Sequence, residues 1–223
     1  KILSEHCSQE RLKKYDAGFK HDEDLLSLLS TNGFLGLGLN EKYGGSGEDL
    51  YDLGILFERL GYHAAPLSLS GCLADVAQTI QKFSNEESCN EILSSIIAGE
   101  IYTSAILEPS NQDPENPITA AEIENNQVVI TGTKYLSEIA SIAKSILIST
   151  NSNEGVLLIL VDTDQVKLTE LNSTANSPLF KVELDSVKVD RESIIHEKGR
   201  GLEALKYLIQ LNMVMRSYIA LGV

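Results

Sequence analysis

Two patterns of apolar residues divide the chain into a helical first half and a strand-rich second half. Up to residue 97 apolar positions recur at helical spacing, and from residue 101 they follow a period of two, which is typical of strands. The change falls in residues 98–109, where we predict that a helix ends at Gly99 and a strand leads to Glu108-Pro109. Proline disfavours helix in the preceding residue, so this pair should open a loop, and we expect a ligand there.

The first half is predicted to be a bundle of helices joined by short turns. One helix covers residues 8–31 and is capped by Asn32-Gly33, and residues 46–49 resemble a capping box for a second helix that ends at Gly61. Further helices are predicted at residues 68–82 and after the cap at residues 84–87. The glycine-rich residues 42–47 could offer backbone N–H groups to an anion, but we favour a tight connection, because glycine suits turns with positive φ.

The second half is predicted to form a β domain followed by another helix. Residues 122–130 have the pattern of a hairpin that turns at Asn125-Asn126. Further strands are predicted at residues 146–149, 156–161, 166–171 and 180–189, and a helix at residues 202–223. The predicted fold class is therefore α+β and multidomain. It has an N-terminal all-α helical bundle (1–100), an antiparallel β-barrel-like middle domain (101–197) and the start of a C-terminal helix (198–223).

Charge and composition exclude several classes of function. With 32 acidic and 18 basic residues the net charge is −14, so we expect no nucleic-acid partner. No apolar run approaches the ~20 residues that span a bilayer, and no leader is evident, which favours a cytoplasmic location and no membrane span. Cys7, Cys72 and Cys89 are widely spaced, so we expect reduced thiols and no metal site. The chain begins at Lys1 and stops inside a helical pattern, which suggests a part of a longer protein.

Four segments, in their order and spacing, resemble the acyl-CoA dehydrogenase family. They are GLGLNEKYGGSG at residues 36–47, FERLG at 57–61 with AAP at 64–66, AGE at 98–100 leading to LEP at 107–109, and TGTK at 131–134. The resemblance implies an oxidoreductase of fatty acid metabolism, a flavoprotein that uses FAD to oxidise the Cα–Cβ bond of an acyl thioester. A glutamate would remove the α-proton and flavin N5 would take the hydride. It also implies an acyl-CoA or acyl-carrier-protein thioester as substrate, and a homo-oligomer or a hetero-oligomer with a related subunit.

The resemblance places the flavin against two segments of the β domain. The first carries Ile106 and Leu107, where the family usually has Thr before Glu-Pro, and the family's following Gly-Ser-Asp is absent from residues 110–114. The second follows Lys134, where the family has an aromatic residue, an aliphatic residue and then Thr or Ser. An ungapped match brings Leu136, Ser137 and Glu138 to these places, and a match shifted by one residue brings Tyr135, Leu136 and Ser137. The shifted match is slightly preferred, because it supplies an aromatic ring and a hydroxyl, so Ile106, Leu107, Tyr135, Leu136 and Ser137 are the predicted cofactor-binding residues.

No catalytic base can be assigned from the sequence. In the family the catalytic glutamate lies either on the first C-terminal helix or well beyond it, and the second location would fall past Val223. Matching Gly201 to the start of that helix brings Asn212 to the first location and Met213 to a position that is commonly arginine. An amide has no usable proton affinity near pH 7, so Asn212 cannot act as a base. We therefore expect this chain alone to be inactive. An alternative is a non-catalytic homologue that serves as a partner subunit or acyl-binding protein.

The remaining polar residues of interest have simpler interpretations. Glu108 is expected to be a solvated acid of a turn, and Lys134 either steadies a ligand or pairs with an acid across a strand. Arg200 could meet a phosphate, but a solvent-exposed residue at a helix start is favoured. The histidines are expected at the surface, without metal-ligand spacing: His6, His21, His63 and His196.

Overall fold

The computed structural model describes residues 2–16, 21–47, 49–173 and 178–223. In these residues N-terminal helices precede a curled sheet, and a long helix follows the sheet. The predicted fold class is confirmed, while the domain limits at residues 100 and 197 stay a prediction. The helices are α1 (Ile2–His6), α2 (Gln9–Asp16), α3 (Glu23–Thr31), α4 (Leu50–Tyr62), a π-helix (Ser70–Ala77), α5 (Gln78–Phe83), α6 (Glu86–Ile97) and α7 (Gly201–Gly222).

The helix predicted for residues 8–31 is in fact two helices, α2 and α3. Asp22 is the N-cap of α3, and its carboxylate accepts a hydrogen bond from the Leu25 N–H at 3.0 Å. Arg11 on α2 pairs with the same carboxylate at 2.6 Å. A residue that caps a helix cannot continue the preceding one, so α3 starts at this point. The predicted cap of α3 at Asn32-Gly33 is confirmed, with φ of 78° at Gly33.

Both predicted ends of α4 were wrong. Its N-cap is Asp49, which accepts from the Tyr51 N–H at 2.7 Å, whereas the Ser46 hydroxyl donates to the Gly36 carbonyl at 3.1 Å and tightens the glycine-rich connection. Gly61 lies inside the helix, which continues to Tyr62. A Cβ at Gly61 would stand 2.2 Å from the Ile219 carbonyl oxygen of α7, so glycine is needed here for close packing and not for termination.

The sheet is mixed and not purely antiparallel. Its strands are β1 (Tyr102–Ala105), β2 (Ala120–Glu124), β3 (Gln127–Glu138), β4 (Ser145–Ser152), β5 (Gly155–Asp162), β6 (Lys167–Leu171) and β7 (Leu179–Asp190). They lie in the order β1-β4-β2-β3-β7-β6, with β5 paired to β4. The pairing of β1 with β4 is parallel, which the long connection through the β2–β3 hairpin permits. The hairpin turns at Asn125 (φ 56°), as predicted.

Alternation along the strands separates two cores. Ile148 and Ile159 face the inside of the curled sheet, while their neighbours Leu147 and Leu158 pack in the core shared with the helices and α7. The helix α7 packs on α4, on the π-helix and on β5. It therefore joins the helical bundle to the sheet, and residues that it carries can reach both.

His196 is buried, contrary to the surface position predicted for all the histidines. Its Nε2 accepts a hydrogen bond from the Leu158 N–H at 3.1 Å, and its Nδ1 donates to the Glu197 carbonyl at 2.8 Å. Arg200, for which a phosphate contact and a solvent-exposed position were both considered, is the N-cap residue of α7. It donates to Glu203 at 3.0 Å, and its guanidinium lies over the Phe83 ring. All three cysteines are free and buried.

The His196 contacts predict a pH-dependent stability. Burial lowers the pKa of His196, so between that value and the ordinary pKa of about 6.5 the unfolded chain binds more protons than the native chain. Stability contributed by the neutral ring is therefore fully present above the ordinary pKa and falls as the pH is lowered through it. We expect His196→Gln to reduce the loss of urea midpoint between pH 7.5 and pH 5.5. The half-buried His63 provides the matched variant, His63→Gln, and an equal reduction in both variants would contradict the assignment.

Candidate functional site

A cleft of about 370 Å³ lies where β1 and the end of β3 face the π-helix and α7. Its apolar lining includes Ile106, Leu107, Leu136, Leu179, Ile209 and Met213. Its polar lining includes Asp75, Ser104, Tyr135, Glu138, Asn212 and Arg216. These four elements thus bring apolar walls and a set of titratable groups into one concave site, which is the usual composition of a small-molecule site.

Most of the predicted cofactor-binding residues meet at this cleft. Ile106, Leu107, Tyr135 and Leu136 line it, and Leu107 and Leu136 are 42% and 44% exposed. Ser137 does not line it: its side chain is buried and donates to the Ser104 carbonyl at 3.0 Å. A hydroxyl of Ser137 directed into the cleft, as the shifted match required, therefore does not agree with the geometry.

Glu138 takes the place in the cleft that the shifted match had given to Ser137. Leu136 has a φ of 58°, and the pairing of β3 with β7 changes register between Lys134 and Ser137. The local distortion lets Tyr135, Leu136 and Glu138 all line the same cleft. The position of Glu138 in the cleft agrees with the ungapped match, which ended on Glu138, and the residues that would bind a cofactor stay a prediction.

The Glu138 carboxylate has partners on three segments of the chain. Arg216 of α7 donates to it at 2.9 Å, and the hydroxyls of Ser68 and Ser70 donate to its other oxygen, Ser70 at 3.0 Å. Burial alone would raise the pKa of Glu138, but the Arg216 charge and these hydrogen bonds bring the pKa below its ordinary value. Glu138 is therefore an ionised carboxylate near neutral pH, and its two oxygens accept hydrogen bonds from three donors.

Asn212 is held by charged groups on both sides. Its Nδ2 donates to Asp75 at 2.7 Å, and its Oδ1 accepts from the Arg216 guanidinium at 2.8 Å. Asp75 is buried on the π-helix and also accepts from the Ser104 hydroxyl at 2.5 Å. Burial raises the pKa of Asp75 to about 7, although the bonds from Ser104 and Asn212 oppose the rise. One continuous network thus runs from Ser104 through Asp75, Asn212 and Arg216 to Glu138.

Glu108 is not the solvated turn acid that was predicted. Its side chain is 1% exposed and pairs with Lys134, which is also buried, at 2.8 Å. The same carboxylate accepts from the Ile118 and Thr119 N–H groups at 2.8 and 2.7 Å. Glu108 therefore closes the loop between β1 and β2 beside the cleft, and pairing across strands was the right one of the two interpretations of Lys134.

Two side chains at the flavin-facing positions of the resemblance cannot donate hydrogen bonds to a flavin ring. The N5 and O4 atoms of oxidised flavin are acceptors, and the resemblance places hydroxyl donors near them. Leu107 has no polar side-chain atom, and the ionised Glu138 is an acceptor only. Arg216 donates from Nε to Asn212 and from Nη2 to Glu138. The side chains of Leu107 and Glu138 therefore do not fit the donor pattern that the resemblance implies, and FAD stays a prediction from the resemblance.

Three residues of the site were missed from the sequence: Asp75, Arg216 and, in the preferred match, Glu138. The ungapped match contained a signal for Glu138, because it put a carboxylate where the family has a hydroxyl. A single acid in the apolar run at residues 71–77 was a weak signal for Asp75. For Arg216 no signal existed, since its partners are distant in sequence. In the described part of the chain no group of three or more His, Cys, Asp or Glu could hold a metal ion, and no helix is long and apolar enough to cross a membrane.

A helical bundle joined to a curled sheet, with a cleft closed by the first helix after the sheet, defines the class of protein. Residues 1–100 match the family model for the N-terminal domain of acyl-CoA dehydrogenases. The fold of 99% of the chain superimposes on the ChsE4-ChsE5 complex from Mycobacterium tuberculosis with a TM-score of 0.91 and 21% identity, covering 60% of that chain. The resemblance to the acyl-CoA dehydrogenase family is thus confirmed by the family model over residues 1–100, and the fold agrees over nearly the whole chain.

Individual relatives agree with this assignment. An acyl-CoA dehydrogenase of Mycobacterium tuberculosis, FadE12, is 24% identical over 216 residues, which are 91% of this chain and 56% of that protein. A glutaryl-CoA dehydrogenase of Mycobacterium smegmatis, solved in complex with FADH2, has a TM-score of 0.88 and 20% identity, and the match covers 99% of this chain and 60% of that one. The chain thus spans little more than half the length of the relatives it matches.

Proposed function

We propose that this chain belongs to a non-catalytic subunit that assembles with a related, flavin-carrying acyl-CoA dehydrogenase subunit. The observation that carries the proposal is Asn212, an amide at one of the two locations where the family resemblance places the catalytic glutamate. Its side chain is bonded to Asp75 and Arg216 and so is fixed by the network of the cleft. An amide in place of the catalytic carboxylate, fixed by hydrogen bonds on both sides, is consistent with a structural role for Asn212.

Two further features support a partner subunit. Leu107 and Glu138 remove donors from the side of the cleft where the resemblance places flavin. The fold neighbour ChsE4-ChsE5 is described as a complex of two different chains. An acyl-CoA or acyl-carrier-protein thioester remains the expected substrate of the assembly, bound and oxidised at the partner's site.

The proposal is tested by the assembly state of the full-length protein. We expect that co-expression with a related acyl-CoA dehydrogenase subunit from the same genome gives a hetero-oligomer in native mass spectrometry. The complex should carry fewer flavins than subunits, as counted from its visible absorbance. A homo-oligomer that forms equally well with and without the related subunit would contradict the proposal. An unrelated acyl-CoA dehydrogenase from another organism is the control for non-specific association.

A second candidate function is that of a self-sufficient dehydrogenase in which Asp75 replaces the missing base. The observation in its favour is the position of Asp75, in the cleft and next to Asn212, together with a pKa of about 7 that suits a general base. We expect no turnover of acyl-CoA with a dye acceptor by this chain alone. Turnover that Asp75→Asn abolishes, and that Asp164→Asn on the exposed surface leaves intact, would favour this candidate over the partner subunit.

A further inference from the structure

The ion pair between Glu138 and Arg216 lies between two cavities and lines both. One is the candidate cleft described above. The other is a larger cavity of about 680 Å³ between the loop at residues 64–70, α4 and the second half of α7. Because the same two side chains close the inner side of each cavity, they form a partition. We call the two residues the partition pair.

The partition pair is built from both halves of the fold. Arg216 is carried by α7, and Glu138 ends the strand β3. Ser68 and Ser70, at the start of the π-helix, donate to Glu138 from the side of the larger cavity. The Glu138 side chain is 17% exposed, so the pair has a partly desolvated carboxylate with several donors. These contacts hold the partition in place without a bound ligand.

The resemblance places a flavin ring beside Leu107 and Tyr135, in the cleft that the partition pair also lines. The ring is flat and rigid and presents acceptor atoms along one edge, whereas Glu138 presents acceptor oxygens with negative charge. Turning Arg216 toward the ring would leave Glu138 buried without its counter-charge, which is costly. Replacing the contacts of the partition pair by contacts with the ring would therefore cost free energy.

We propose that the Glu138–Arg216 pair divides what would otherwise be one slot into two cavities and keeps this subunit free of flavin. The inference rests on the proposed function, because it explains how a member of this family could remain without flavin while it keeps the fold. According to this inference, the side chains of Glu138 and Arg216 exclude the flavin ring.

Riboflavin is the probe for this inference, because it has the isoalloxazine ring and lacks the phosphates for which the sequence shows no clear partner. Its fluorescence is titrated with the full-length protein and with Glu138→Thr/Arg216→Ala, which removes both charges and leaves neither partner unpaired. The control is Glu154→Thr/Arg191→Ala, which removes another Arg–Glu pair, joined at 2.8 Å away from the cleft. Circular dichroism and urea midpoints establish that each variant is folded.

We expect the partition variant to bind riboflavin at least about tenfold more tightly than the wild type, which corresponds to ~1.4 kcal/mol, while the control variant matches the wild type. Should the double variant fail to fold, Glu138→Gln keeps the shape of the side chain, removes its charge, and should bind more tightly than the wild type. Wild-type protein that is isolated with bound flavin would overturn the inference. Equal binding by the partition variant and the control variant would overturn it as well.

The outcomes separate this inference from the proposed function. A wild-type protein that binds flavin and still forms a hetero-oligomer overturns only the role of the partition pair. A flavin-free homo-oligomer that does not bind the related subunit overturns only the partner role.

Discussion

Replacing Lys134 by methionine is expected to lower the free energy of unfolding by about 3–5 kcal/mol, the usual cost of removing one partner of a buried ion pair. Methionine keeps the length of the side chain, so little of the loss would come from a cavity. What remains is the Glu108 carboxylate, 1% exposed and without its counter-charge. Lys134 also donates to the Ser149 hydroxyl at 3.0 Å, and that bond is lost too. Urea denaturation followed by circular dichroism measures the change.

Two comparisons separate the buried pair from a general effect of losing a lysine. Lys167→Met removes a surface partner of Glu183 and should change stability by less than about 1 kcal/mol. The double variant Glu108→Gln/Lys134→Met removes both charges and should be more stable than Lys134→Met alone. If the double variant were the less stable of the two, an unpaired buried charge could not be the cause.

Acid should weaken the same part of the structure. Burial would raise the pKa of Glu108, but hydrogen bonds from Asn111, the Ile118 N–H, Lys134 and Thr119 hold the pKa below its ordinary value. The stabilisation by the ionised form is therefore present above the ordinary pKa and is lost as the pH falls below it. Faster amide exchange in the loop between β1 and β2 at low pH is the measurement that checks this.

Replacing Gly61 by alanine is expected to destabilise the protein by about 2 kcal/mol, although the same change in an exposed helix interior would stabilise it by about 1 kcal/mol. The added methyl group would lie 2.2 Å from the Ile219 carbonyl oxygen. The atom it meets belongs to a backbone, so no change of rotamer can relieve the contact. The two helices would have to separate.

The sign of the change is the decisive readout for Gly61→Ala. A gain in the urea midpoint would mean that propensity dominates and that α4 and α7 are not in close contact in solution. Tyr51→Ala, on the exposed side of the same helix, is the control and should change stability by no more than about 0.5 kcal/mol.

The sequence was sufficient for the order of elements and insufficient for the polar contacts. Helical and two-residue periods are local signals, so the bundle, the hairpin at Asn125 and most strands could be predicted. The parallel pairing of β1 with β4 could not, because it depends on which strands meet after a long connection. The family resemblance could also be recognised from the sequence, because it depends on short contiguous motifs.

The wrong predictions mostly concerned polar residues that were expected at the surface and are buried. Glu108 and His196 follow the local pattern of turn residues, yet each accepts a hydrogen bond from a backbone N–H of a distant segment. A similar difficulty affected the match after Lys134, where an irregularity of β3 lets Glu138 and not Ser137 line the cleft. In all three cases the position of the side chain depends on partners that are distant in sequence, and the spacing of residues along the chain does not reveal those partners.

The contact between Gly61 and the Ile219 carbonyl sets a minimum separation between α4 and α7. Because the two helices meet backbone to backbone there, α7 has no side-chain layer through which to move closer to the bundle. Asn212 and Arg216, which α7 carries into the cleft, therefore cannot approach the bundle further at this contact. One wall of the cleft is thus limited by a backbone contact, which no change of a side-chain rotamer can relax.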